Sequence, residues 1–194
     1  LPLAAIAKNI HSKGAGILTA WLIALMPGHI SHATFGLADH DSFALLFLSM
    51  AFYYWLRARE NLGTDRMFQD PSSSPLYLLA GIRETWHRNP LAMSYATMSG
   101  ISFSTVALGW KGFVYGPGIL FLAFATQIVL NLLRRRDSTI LAVCTSLMLL
   151  LTFALPLPVY GHFQLDLIWD ASGMQPLFYI TGFTLALSVL AICS

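Results

Sequence analysis

The stretch PLAMSYATMSGISFSTVALGWKGFVYGPGILFLAFATQIVLNLLRRR, residues 90–136, decides the fold. It holds two apolar runs, 90–109 and 117–133, and neither contains an Asp, Glu, Lys or Arg. Roughly 17–25 such residues in a helix cross the hydrocarbon core of a bilayer. Trp110-Lys111-Gly112 through Gly116-Pro117-Gly118 reads as the tight turn between them. Arg134-Arg135-Arg136 stops the second run. The pair predicts a transmembrane helical hairpin, because a soluble hairpin would carry a charged face.

Working outward from 90–136, the same pattern repeats. Residues 1–7 read as the end of a helix, and 15–26 as a span closed by Pro27-Gly28. Residues 29–42 form a polar, acidic loop. The run 43–56 is short for a span, so its helix is expected to begin inside that loop. Residues 57–89 are the longest polar segment. Asp70-Pro71-Ser72-Ser73-Ser74-Pro75 marks a turn within it, and Pro75 to Ile82 is a candidate amphipathic surface helix. Beyond the hairpin lie a span at 137–157, a loop at 158–174 and a span at 175–194. The expected fold is all-α, one polytopic transmembrane bundle of about five spans plus a partial N-terminal one. The apolar runs that reach both ends predict a piece of a longer protein.

Composition agrees. Apolar residues make up 56% of the chain and charged residues only 10%, against about a quarter charged in a soluble domain. A net charge of +2 leaves no nucleic-acid footprint. Cys144 and Cys193 lie inside apolar runs and read as small hydrophobes, with no disulfide framework or zinc site. The first residue is Leu, and no basic segment precedes an apolar one, so no signal peptide is expected at this end.

The cations give an orientation. With Lys8 and Lys13 on the cytoplasmic side, alternation of the spans puts Arg57 through Arg88 and Arg134 through Arg136 there too. Ten of the eleven basic residues then share one side, and Lys111 alone faces outward. Asp39, Asp41, Asp166 and Asp170 fall on the outer side. Segment 57–89 is thus expected in the cytoplasm, and loops 29–42 and 158–174 outside.

Chemistry concentrates in the outer loop Pro27-Gly28-His29-Ile30-Ser31-His32-Ala33-Thr34-Phe35-Gly36-Leu37-Ala38-Asp39-His40-Asp41-Ser42. In an extended backbone, Asp39 and Asp41 point to one face. Two carboxylates so placed repel unless a cation lies between them, and oxygen donors suit a hard divalent ion, Mg2+ or Mn2+. His40 adds a nitrogen that can ligate metal or meet a phosphate. The plainer reading is that Asp and Ser before an apolar run are ordinary helix N-caps. The other polar residues have plainer readings too: Trp110 as an interfacial anchor, Lys111 as a snorkelling helix-end cation, and His162, Asp166 and Asp170 as solvated loop residues.

The pattern Pro-Gly-x-Ile-Ser-x-x-x-x-Gly-x-x-Asp-x-Asp at 27–41 resembles the second acidic motif of the catalytic subunits of asparagine-linked oligosaccharyltransferases. The archaeal members, with Asp-His-His or a close variant at 39–41, are especially similar. Gly109-Trp110-Lys111-Gly112-Phe113-Val114-Tyr115 is similar to the Trp-x-Gly at the outer end of a helix pair in that family. The resemblance covers roughly residues 1–135 in topology and is specific at 27–42. The family has Arg where this chain has His32. Trp169-Asp170-Ala171-Ser172-Gly173 is only a superficial echo of its Trp-Trp-Asp-Tyr-Gly motif.

The resemblance implies a polytopic GT-C glycosyltransferase. The reaction would move an oligosaccharide from a polyprenyl-(pyro)phosphate lipid to Asn in Asn-x-Ser/Thr of an acceptor polypeptide. Asp39 would be the first metal ligand and Asp41 a second ligand or orienting carboxylate. His40, Trp110 and Lys111 would lie toward the lipid phosphate. The motifs missing from this stretch imply that it is inactive alone. Two other classes stay open from the sequence: a GT-C enzyme using a polyprenyl-phosphate sugar, and a transporter or structural membrane subunit. A transporter would be expected to carry mid-span charges and broken helices.

Overall fold

The computed structural model describes residues 2–26, 40–62, 83, 86–134, 138–163 and 174–193, all of them helical or in short connections. Helix α1 spans Pro2–Ile10 and α2 Lys13–Leu25. Only His11 and Ser12 separate them. Ser12 caps α2, its Oγ accepting from the amide of Ala15 at 3.2 Å, which satisfies a donor the helix itself leaves open. The two helices pack through Gly16: a Cβ there would stand 2.8 Å from both the Ala4 carbonyl oxygen and Lys8 Cβ.

Helix α3 spans His40–Glu60. The apolar run 43–56 is thus extended at both ends, and its described start falls inside the acidic motif, as its shortness required. Helix α4 spans Pro90–Gly109, with Asn89 as N-cap and proline in the first turn, where its missing amide hydrogen costs nothing. A 3-10 turn, Lys111–Val114, leads directly into α5, Tyr115–Leu133. The turn is therefore shorter than the sequence suggested. Gly116, Pro117 and Gly118 belong to the first turn of α5, where proline is tolerated. Gly116 serves close packing, since a Cβ there would stand 2.6 Å from both Phe103 and Leu48 side-chain atoms.

Helix α6 spans Thr139–Ala154 and is followed by two turn residues, Leu155 and Pro156. The chain resumes as the short helix α7, Leu157–Phe163, so the expected loop at 158–174 is helical in its first part. Helix α8 spans Met174–Cys193. Four stretches among the described residues are long and apolar enough to cross a membrane: Pro90–Gly109, Gly112–Leu133, Thr139–Tyr160 and Met174–Ala191. Helix α3 has the length, with 21 residues, but charges at both ends lower its hydropathy. The candidate surface helix at 75–82 lies outside the described residues.

The bundle is built around α4, which packs on α3 along one side and α6 along the other, while α8 packs on α6 and α5. Ala92, Ala96, Gly100 and Ser104 recur every four residues on α4 and are all buried. Such a stripe lets helix backbones approach closely. A Cβ at Gly100 would stand 2.8 Å from the Met148 carbonyl oxygen and 2.9 Å from Leu151 Cβ on α6.

Some buried hydroxyls meet acceptors across the helix contacts. Ser99 Oγ donates to the Ala51 carbonyl at 2.8 Å, Ser104 Oγ lies 2.8 Å from the Gly100 carbonyl of its own helix and 2.9 Å from that of Leu151, and Ser146 and Ser188 pair at 2.8 Å. The buried hydroxyls of Thr145 and Thr181 have no such partner among the described residues.

Candidate functional site

Helix packing sorts the polar residues to two ends. One end gathers the C-termini of α3 and α5 and the N-termini of α4 and α6. There Arg57 Nη1 donates to Glu60 Oε2 at 2.7 Å, and its guanidinium lies 5.7 Å from the Tyr95 ring centroid. Arg59 Nη2 donates to Gln127 Oε1 at 2.9 Å. Gln127 Nε2 continues to Asn131 Oδ1 at 2.8 Å, and Asn131 Nδ2 to Ser138 Oγ at 3.0 Å. This chain of bonds ties α3, α5 and the start of α6 together. Arg88 and Arg134 are exposed at this same end.

The opposite end carries the start of α3. His40 and Asp41 occupy its first turn, where unpaired amides and the helix dipole favour negative charge. Asp39 and His32, the other residues singled out in this loop, lie outside the described residues. Because Asp41 is helical, residues two apart diverge by about 200° there. The expected face shared by Asp39 and Asp41 itself lies outside the described residues.

Gly109, the last residue of α4, meets the Phe43 ring, at 3.2 Å from where its Cβ would be. Phe43 is two residues beyond Asp41, so the α4–α5 connection and the acidic motif stand at one end. Ala44, Val106, Ala107, Phe113, Met174 and Leu177 form a buried cluster there, with Trp110 and Tyr160 packed against it.

Trp110 leaves α4 in extended conformation, its amide donating to the Val106 carbonyl at 2.9 Å. Its carbonyl accepts from the Phe113 amide at 3.2 Å and closes the 3-10 turn. The indole lies over Gly112, where a Cβ would stand 2.6–2.9 Å from ring atoms. This contact explains the Trp-x-Gly spacing, and it makes the ring a packing element of the turn. Lys111 is the first residue of that turn. His162 is exposed in the last turn of α7, while Asp166, Trp169 and Asp170 lie outside the described residues.

Tyr160 of α7 was not singled out from sequence. Its hydroxyl donates to the Ala107 carbonyl on α4. The only sequence signal is its position, a tyrosine just past Pro156 and Pro158 at the end of an apolar run. No group of three His, Cys, Asp or Glu side chains that could hold a metal occurs among the described residues. The donor chemistry of Asp39, His40 and Asp41, two carboxylates and an imidazole, fits part of a hard divalent site. Further oxygen donors must come from elsewhere.

The sequence as a whole was compared with known proteins. Residues 1–193 match the family profile described as "Oligosaccharyl transferase STT3, N-terminal". The chain is 25% identical to the dolichyl-phosphooligosaccharide-protein glycotransferase 3 of Archaeoglobus fulgidus over 198 aligned residues, 92% of this chain and 20% of that protein. It is 36% identical to the dolichyl-diphosphooligosaccharide–protein glycosyltransferase subunit STT3 of Saccharomyces cerevisiae over 53 residues, 27% of this chain and 7% of that protein. It is 39% identical to subunit STT3B of Oryza sativa over 54 residues, 28% and 8% respectively. The chain thus spans about a fifth or less of the length of these relatives. No solved structure matches it. With apolar helices of spanning length and a profile match along nearly its whole length, this is a multi-pass membrane chain that belongs to the STT3 oligosaccharyl transferase family, in its N-terminal region.

Proposed function

We propose that this chain is the part of an asparagine-linked oligosaccharyltransferase that carries the second acidic motif at the outer membrane boundary. The observation that carries the reading is the placement of that motif. His40 and Asp41 open α3 at the end opposite Arg57, Arg59, Arg88 and Arg134. By the charge asymmetry of membrane proteins, the arginine end is cytoplasmic and the acidic end external. The donor would be an oligosaccharide on a polyprenyl (pyro)phosphate, and the acceptor Asn in Asn-x-Ser/Thr. The names of the Archaeoglobus and yeast relatives support the dolichyl-linked donor.

The chemistry asks two things of such a site. An amide nitrogen is a weak nucleophile, because its lone pair is delocalised into the carbonyl. Carboxylates that accept its N–H hydrogens hold it out of conjugation and orient it. The departing phosphate needs positive charge nearby. Asp39 and Asp41 would hold a divalent cation, Mn2+ or Mg2+, which would neutralise the carboxylates and act as a Lewis acid toward the leaving phosphate. His40 and Lys111 would face that phosphate, and the first turn of α3 would add its partial positive charge. Trp110 belongs to the scaffold of the turn that carries Lys111.

The test uses the full-length protein with a lipid-linked oligosaccharide and an Asn-x-Thr peptide. Asp41→Asn preserves size and removes the charge. Glycopeptide formation should fall by at least about 100-fold, the usual scale for loss of one charge-stabilising group. Turnover at the native rate would remove Asp41 from the site.

A further inference from the structure

We infer that Tyr160 is a positioning residue for the transfer site, its hydroxyl holding the Trp110–Val114 turn against the opening turns of α3. The inference rests on the reading of this end as the reacting end. It starts from an orphan carbonyl. Trp110 departs from helical geometry, with φ −145° and ψ 124°, which carries the next amide away from the Ala107 carbonyl that would have accepted it. Ala107 is fully buried, so water cannot take the place of that amide. An unpaired buried carbonyl is costly. The hydroxyl of Tyr160, 53 residues away in sequence, donates to it instead.

The hydroxyl comes from the segment just past the turn residues Leu155 and Pro156. Helix α6 stops at Ala154 and the chain turns at Leu155–Pro156 before α7 begins. Leu157, Pro158 and Val159 are exposed, whereas Tyr160 is half-buried. Tyr160 thus joins α7 to the cluster that contains Ala44, Phe113 and Met174. Ala44 lies three residues beyond Asp41, and Phe113 two beyond Lys111. The hydroxyl therefore ties α7 to α4 beside the cluster that joins the start of α3 to the lysine-bearing turn. Phenylalanine would supply the same packing, so the hydrogen bond is the feature that can be removed alone.

The test again uses the full-length protein, with kcat and KM measured separately for the lipid-linked donor and the acceptor peptide. Tyr160→Phe should raise the donor KM about fivefold, the scale of one lost hydrogen bond, leave the acceptor KM as it is, and lower the thermal midpoint by a few degrees, because the buried Ala107 carbonyl is left unpaired. Lys111→Met combined with Tyr160→Phe should be no worse than the poorer single variant, because both act through one turn. A wild-type donor KM in Tyr160→Phe, beside an inactive Asp41→Asn, overturns the positioning role and leaves the transfer reading standing. A lowered thermal midpoint with unchanged KM makes the tyrosine merely structural and also overturns it, as do additive effects with Lys111→Met. Native turnover in Asp41→Asn removes the transfer reading and this inference with it.

Discussion

Replacing Gly100 by alanine tests a close helix contact in the bundle. The new Cβ would stand 2.8 Å from the Met148 carbonyl oxygen, 2.9 Å from Leu151 Cβ and 3.3 Å from Met148 Cα. The nearest of these atoms is backbone and cannot rotate away, so α4 and α6 must separate by several tenths of an ångström. Overpacking of this kind costs about 1–3 kcal/mol. The Ser104 hydroxyl, one turn further on, keeps the Gly100 carbonyl at 2.8 Å as the Leu151 carbonyl at 2.9 Å draws away, so it adds little to the cost. Alanine returns about 1 kcal/mol through its higher helix propensity.

Gly182 supplies the control. It lies in α8 with nothing within 4 Å of an added Cβ, so Gly182→Ala collects the propensity gain without the clash. Propensity cancels in the comparison, which leaves Gly100→Ala less stable than Gly182→Ala by about 1–3 kcal/mol. Thermal unfolding of the full-length protein in detergent reads the difference. At a few degrees per kcal/mol, the midpoint of Gly100→Ala should lie at least about 2 °C below that of Gly182→Ala. Equal midpoints would mean that α4 and α6 do not meet backbone to backbone.

Two other substitutions probe the rest of the bundle. Gly16→Leu should destabilise the α1–α2 hairpin, because even a Cβ meets the Ala4 carbonyl at 2.8 Å; protease cleavage near His11 should accelerate, and an unchanged pattern would refute the contact. Arg59→Ala removes the exposed bond to Gln127 and should leave the thermal midpoint within about 2 °C, since exposed polar pairs contribute under 1 kcal/mol; a larger drop would mean that the arginine end holds the helices together.

Much of this architecture is legible in the sequence because a bilayer tolerates few alternatives. Uncharged runs of spanning length, closed by Arg134 or by Pro27-Gly28, leave the backbone no option but helix. The short run 43–56 could not span alone, and its helix does open within the acidic motif, at His40. The turn at 110–118 was misjudged because glycine and proline were read as turn residues. At Gly116 the glycine instead admits the side chains of Phe103 and Leu48, and Pro117 fits the first turn of α5.

The small-residue stripe Ala92, Ala96, Gly100, Ser104 was readable at a four-residue period. Hydropathy hides it, because an apolar span shows no contrast between its lipid face and its packed face. The role of Tyr160 could not be read at all. It depends on a carbonyl 53 residues away in sequence.

Everything proposed for Asp41 requires its end of the bundle to face outward. Tyr115 and Arg134 stand at the two ends of α5, both exposed, about 28 Å apart along the helix. Tyr115→Cys and Arg134→Cys, each made in the full-length protein with every cysteine other than Cys144 replaced by serine, can be exposed to a membrane-impermeant thiol reagent on intact cells; Cys144 is buried and stays silent. Tyr115→Cys should label at once, and Arg134→Cys only after the membrane is opened. Labelling in the reverse order would place the acidic motif in the cytoplasm and contradict the account.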